Sequence, residues 1–262
     1  MAAVAEGLLA ADEPSPVRML RQHGASDLVL TADHAGRLIP RRLGRLGVAE
    51  SELQRHIAWD IGIAGVTERL SDALNALAVL QVYSRLVIDC NRDPSVPSSV
   101  PEISETTPIP GNVGLSEAER ARRVGAIFTP YHARIAALLD ARAAAGRRTV
   151  LVAMHSFTPV FKGESRTVEV GVLFNHDARL ASVLLTLLRA EGDIAVGANA
   201  PYAITDTSDY TVPVHGEKRG LPHVEIEIRQ DLIAEAAGQA AWAARFARLL
   251  RAADAELREA GI

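Results

Sequence analysis

Short apolar runs and longer amphipathic stretches alternate along the chain. "DLVLTA" (27–32), "LAVLQVY" (77–83), "RLVIDC" (85–90), "TVLVAM" (149–154), "TVEVGVLFN" (167–175) and "IAVGAN" (194–199) have the length and β-rich composition of strands. Several are apolar at every position, as strands covered on both faces are. The span 222–232, "PHVEIEIRQDL", alternates instead: Val224, Ile226 and Ile228 interleave with Glu225, Glu227 and Arg229, so a strand there puts two carboxylates and a guanidinium on one side. Such a face is most often solvated.

Between the strands, helical patterns cover 49–74, 115–146, 179–192 and 237–261. Gly62 and Gly65 predict an interruption of the first just after Asp60. Ser116 with Glu119 forms a capping box at the start of the second, Gly146 is its stop, and Pro130 should kink or divide it. The span 91–114 holds five prolines and is too long for a simple connector, which suits a binding loop or lid. A polar loop covers 200–221. Interleaved strands and helices predict an α/β sandwich around a mixed, largely parallel sheet, with residues 1–26 as a loose or helical arm and 27–262 as a single catalytic domain.

Composition narrows the function. The chain is 48% hydrophobic and 23% charged, and its net charge of −4 offers no pull toward nucleic acid or an anionic membrane. A lone cysteine, Cys90, excludes an internal disulfide and a four-thiolate zinc site. No apolar run is long enough to span a bilayer, and the acidic start lacks the basic leader of a secretory signal, so a cytoplasmic location is expected.

In open α/β sheets, ligands gather beyond the carboxyl ends of strands. Those ends deliver Asp33 and His34, then Asp89, Asn91 and Arg92, then His155 and Ser156, while the alternating strand carries Glu225, Glu227 and Arg229. Each has a plain structural alternative: a histidine capping a turn, Asn91-Arg92 in turn chemistry and a surface ion pair, Asp60 capping a helix, the glutamates facing water. Together they supply two imidazoles and a carboxylate, a common catalytic zinc shell with a fourth position for water, plus a glutamate for proton transfer and an arginine to fork a substrate carboxylate. HExxH, GxSxG, GxGxxG and Walker motifs are absent, which disfavours helical zincins, serine hydrolases and the corresponding nucleotide binders.

In "DHAGRLIP" (33–40), "HIAWDIGIAGV" (56–66), "YSRLVIDCNR" (83–92), "HSFTP" (155–159) and "GLPHVEIEIRQDLI" (220–233) the sequence resembles the N-formylglutamate amidohydrolase family. The resemblance implies a three-layer sandwich like that of the zinc carboxypeptidases and phosphorylase-hydrolases. It also implies Zn2+ as cofactor and hydrolysis of N-formyl-L-glutamate to formate and glutamate, the last step of one histidine-degradation route. Carried over residue by residue, it makes His34 and His155 metal ligands, Glu227 the catalytic glutamate and Asn91-Arg92 the carboxylate-binding pair. One position departs from the carboxypeptidase pattern: three residues after His34 stands Arg37 rather than glutamate. The carboxylate ligand is then expected at Asp60, with Glu225 as the competing candidate. Arg85, Arg92 and Arg229 are possible partners for substrate charges, His215 a contact or proton donor reaching in from its loop, and Asn199 and Tyr202 weaker contacts. The alternatives are a carboxypeptidase-like hydrolase of another N-acyl amino acid or peptide, and a non-catalytic dicarboxylate binder.

Overall fold

The computed structural model describes residues 7–207 and 209–262. Seven strands form one sheet: β1 (Val17–Leu20), β2 (Leu28–Ala32), β3 (Leu77–Gln81), β4 (Val150–Phe157), β5 (Val170–Leu173), β6 (Val196–Ala198) and β7 (His223–Arg229). Their spatial order is β1-β3-β2-β4-β7-β5-β6. The four central strands β3, β2, β4 and β7 run parallel, β1 is antiparallel to β3, and β5 is antiparallel to β7 and parallel to β6. The sheet is mixed and mainly parallel, as the interleaved pattern predicts.

Strand parity divides the sheet into two faces. Leu28, Leu30, Val150, Val152, Met154, Val224, Ile226 and Ile228 point to one side, where they pack on α1 (Ile63–Leu74), α3 (Arg179–Glu191) and α4 (Ala236–Glu259). Val29, Leu77, Val79 and Leu151 point to the other and meet Ile127, Phe128, Tyr131, Ile135 and Leu139 from α2 (Thr129–Ala144) and the turn before it. The result is three layers with two cores. Toward the carboxyl ends of β2, β4 and β7 that second face turns polar, carrying Asp33, His155, Glu225 and Glu227 where α2 no longer covers it.

Local departures from expectation have physical reasons. "RLVIDC" is no strand: Val87 and Arg92 close turns on Ser84 and Asp89, and Leu86, Val87, Ile88 and Cys90 are buried in the second core. A continuous apolar run reports burial, and here an irregular segment supplies it. The N-terminal arm contributes the edge strand β1; its first six residues lie outside those described. In the first helical region only Glu50–Leu53 coils before the break, and α1 starts from Gly62 at φ +82. The predicted capping box at Ser116 and Glu119 forms. Pro130 sits in the first turn of α2, where its missing N–H costs nothing, and a π-helical turn over Val124–Phe128 joins that helix to Glu117–Arg123. The proline-rich span folds into short turns and a two-residue-strand hairpin, Ile103–Ser104 with Thr107–Pro108. Among the described residues no helix is long and apolar enough to cross a membrane.

Candidate metal centre and active site

The polar end of the second face floors a cleft of about 500 Å3. β2 ends at Ala32, so the chain turns and delivers Asp33 and His34; His155 lies within β4; and Glu227 stands directly opposite His155 in the β4–β7 register. Asp60 arrives from the break ahead of α1. Its backbone N–H donates to the His34 carbonyl at 2.9 Å, and its side chain makes no helix cap, turning inward instead to accept the Ser156 N–H at 3.2 Å.

The two imidazoles share one arrangement. His34 Nε2 donates to Asp89 Oδ1 at 2.7 Å, and His155 Nε2 donates to Asp33 Oδ2 at 3.2 Å. These bonds leave both Nδ1 atoms aimed at Asp60 Oδ2, at 3.4 Å from His34 and 3.0 Å from His155. His34, Asp60 and His155 are all buried, and their ligating atoms lie within 4.8 Å of one another. Buried His34 Nδ1 has no hydrogen-bond partner among the described residues. Two imidazole nitrogens converging on a carboxylate oxygen need a cation between them, and without an ion a proton must serve. Burial alone would depress both histidines, and Arg85 adds to that at His34. Yet Asp89 and Asp60 hold His34 above its ordinary pKa, and Glu225, Asp33 and Asp60 hold His155 well above. Burial likewise favours protonated Asp60, but the two histidines outweigh it and keep the carboxyl below its usual range. The donor set and the orphaned nitrogen fit a divalent ion with nitrogen and oxygen ligands.

Asp33 and Asp89, named by the sequence only as strand-end residues, hold the imidazoles in place. Asp33 Oδ1 accepts from the Tyr131 and Thr211 hydroxyls at 2.8 Å each. Asp89 Oδ2 accepts from Arg85 Nη2 at 2.6 Å and Nε at 3.1 Å, while Arg85 Nη1 lies 3.5 Å from Asp60 Oδ1. A carboxylate behind a metal-facing imidazole fixes its tautomer and raises its basicity. The signal for this is three-dimensional, since partners 55 and 122 residues apart in sequence must meet.

The two glutamates are not equivalent. Glu225 accepts from Asn91 Nδ2 at 3.3 Å and lies 3.9 Å from His155 Nε2. Glu227 Oε2 is buried without a hydrogen-bond partner among the described residues. Burial pushes the Glu227 carboxyl well above its usual range; His155 and Arg85 oppose this, and Asp60 and Glu225 add to it. Burial also raises Glu225, against His155. An unpaired carboxyl with high proton affinity beside the His34, Asp60 and His155 cluster is suited to taking and returning a proton.

Arg85, Asn91, Arg92 and Tyr202 line the cleft. Asn91 Oδ1 accepts the Thr211 N–H at 3.1 Å, and Arg92 donates to its neighbour's carbonyl at 2.9 Å and to Asp209. His215 does not reach the cleft. It is buried beside His132, whose Nδ1 lies 3.0 Å from its Nε2, because the loop coils over Val212–Gly216 and turns the ring inward. Arg229 shares the face of the two glutamates but lies outside the cleft lining, paired with Asp231. Asn199 accepts the Phe174 N–H at 2.9 Å, a turn role. Arg37 lies over the Trp59 ring at 5.1 Å, outside the cleft lining. Sequence reasoning missed His56 and Glu105, 3.5 Å apart on the cleft wall. Their pairing is not legible in sequence, although His56 opens a family-like segment, because only the hairpin after the proline-rich turns brings Glu105 to it.

The profile of the N-formylglutamate amidohydrolase family matches residues 26–234. No curated protein matches the chain significantly. Among solved structures, the gene product Atu2144 of Agrobacterium tumefaciens is 40% identical, superposes with a TM-score of 0.92, and is matched over 96% of this chain and 99% of its own. The N-formylglutamate amidohydrolase of Ralstonia eutropha is 20% identical with a TM-score of 0.66, over 94% of this chain and all of its own, and so shares the fold. With the profile match spanning every residue of the cleft floor, the chain belongs to the N-formylglutamate amidohydrolase family.

Proposed function

We propose that this chain is a divalent-metal amidohydrolase that cleaves the N-formyl, or more broadly N-acyl, amide of an acidic amino acid, with N-formyl-L-glutamate the first choice of substrate. The products are formate and glutamate. The observation that carries this reading is the pair of buried imidazoles, each backed by a buried carboxylate, whose Nδ1 atoms converge on Asp60.

His34, Asp60 and His155 would hold the ion, most simply Zn2+. When bound, it would polarise the amide carbonyl and make a water acidic near neutral pH. Glu227 accepts the proton of the attacking water as the new C–O bond forms, then delivers it to the amide nitrogen as the C–N bond breaks. Its unpaired Oε2 and raised proton affinity suit both transfers. Glu225, tethered by Asn91, orients rather than transfers. Arg85 and Arg92, 27% and 29% exposed at the cleft, would hold the substrate carboxylates, Arg85 through Nη1 because its Nε and Nη2 are spent on Asp89.

Glu227→Gln should lower kcat by roughly 10²- to 10⁴-fold while leaving metal content intact. If the metal leaves instead, Glu227 is a ligand and the role assigned to it is wrong. Turnover on a panel of N-formyl, N-acetyl and N-succinyl amino acids and short peptides identifies the substrate class. Protein purified without chelator that holds no metal and gains no activity from Zn2+ would point to the non-catalytic binder.

A further inference from the structure

We propose a second cation site, separate from the cleft floor, formed by His176, Asp206, Glu217 and His223. The ligating atoms of His176, Asp206 and Glu217 lie within 4.8 Å of one another. His176 follows β5, Asp206 sits in the 200–211 loop, and Glu217 opens the short turn Glu217–Arg219. Asn175 Nδ2 reaches both carboxylates, at 2.7 Å to Asp206 Oδ1 and 3.4 Å to Glu217 Oε2, and holds them side by side.

The independent observation is His223, the first residue of β7, which is 0% exposed. Its Nδ1 donates to the Leu221 carbonyl at 2.8 Å, so in the neutral ring Nε2 carries the lone pair. That buried Nε2 has no hydrogen-bond partner among the described residues, yet it lies 3.6 Å from Glu217 Oε1. A lone pair facing a carboxylate oxygen in a buried place is unfavourable unless a cation lies between them. Two ligands at about 2.0–2.1 Å from a tetrahedral Zn2+ stand roughly 3.3–3.4 Å apart, close to the separation found. His176 and Asp206 are exposed and free to close around the ion from the solvent side. Both side chains already touch, Nε2 to Oδ2 at 2.8 Å, as partners that a proton bridges when no metal does.

This site acts on the 200–211 loop, which also carries Tyr202, Ile204 and Asp209 into the catalytic cleft. A cation there would fasten the loop to the start of β7, the strand that bears Glu225 and Glu227. Its role is structural, at a distance from the reacting atoms.

The test is Zn2+ per chain after equilibrium dialysis of the whole protein against micromolar Zn2+ alone. Wild type should hold two ions. His176→Ala and Glu217→Gln should each hold one and keep amidohydrolase turnover at saturating Zn2+ within a few-fold. His155→Ala should also hold one, and His155→Ala with His176→Ala none. His176 is exposed, so its replacement does not threaten folding, and circular dichroism checks the Glu217 variant. A count in wild type that His176→Ala and Glu217→Gln both leave unchanged overturns the proposal. A wild type that binds one ion, lost in His176→Ala but kept in His155→Ala, supports this site while refuting the catalytic metal.

Discussion

At the scale of single residues, the proposed metal centre depends on groups that would not touch the ion. Asp89 accepts from His34 Nε2 and from two nitrogens of Arg85, and its Oδ1 also takes the Asn91 N–H at 2.9 Å. Asp89→Asn should weaken Zn2+ binding by about 10- to 100-fold, because the amide can present an N–H where the imidazole needs an acceptor. Competition with a chromogenic chelator measures that loss, and an unchanged affinity would show that the contact orients nothing. The residues facing one another across the centre are legible as residue types: His34 and His155 at expected strand ends, Glu225 and Glu227 on the alternating strand. Asp33 and Asp89 stand at the same expected ends, but their role does not show there. A carboxylate becomes an orienting group only when a fold sets an imidazole nitrogen against it. The reverse holds for His215, which is conspicuous in its loop but spends its nitrogen on His132.

At the scale of elements, parity explains why a pattern that usually means a solvated face does not mean it here. The odd positions of β7 point to the same side as Leu151 and His155 of β4, and near the amino end of β4 that side is filled by the second core. Only at the carboxyl ends does the covering helix give way, so Glu225 and Glu227 are buried yet open onto a cleft. The sequence shows the alternation but not where α2 stops covering it. The same blindness turned a buried irregular segment, "RLVIDC", into a strand and left β1 inside an arm. Helix starts fared better, since capping and glycine signals are local: α1 begins where Gly62 demands it, although the break opens already after Leu53 and takes in Asp60. At Gly62 φ is +82 and an added Cβ would fall 2.1 Å from the Ile233 carbonyl oxygen. Gly62→Ala should therefore cost more than about 2 kcal/mol in urea unfolding, from backbone strain and the clash together. It should also weaken Zn2+ binding, because Asp60 stands two residues away. A destabilised variant with wild-type metal affinity would show that the break and the centre are independent.

Across the whole molecule, the two faces of the sheet carry different duties. The face toward α1, α3 and α4 is uninterrupted apolar packing, with Phe246, Leu250 and Ala253 of α4 fully buried. The other face supports the cleft through buried polar contacts, and its weakness is acid. His132 and His215 are stacked with ring centres 5.2 Å apart, and His132 Nε2 donates to the Cys90 carbonyl at 2.7 Å. Burial pulls His132 down to about 4, against the attraction of Asp33 and the Cys90 carbonyl. Burial and the neighbouring His132 pull His215 down to about 3, with Arg219 reinforcing this and Asp33 and Asp140 opposing it. Tyr210 and Phe128 close the pocket around His132. Both imidazoles are thus neutral in the folded chain over a range where the unfolded chain protonates them. Their contribution to stability is intact above the unfolded pKa of about 6.5 and falls as the pH drops from there toward 4, because the unfolded state then binds more protons. Each histidine adds up to about 1.4 kcal/mol of lost stability per pH unit within that window. Urea unfolding between pH 7.5 and 4.5 should show this slope, and His215→Phe, which keeps a ring against His132 while removing one titrating group, should flatten it. The measurement belongs in chelator, so that metal release from His34 and His155 does not add its own pH dependence. A slope unchanged by the substitution would place the acid sensitivity elsewhere, and the stacked pair would then be packing alone.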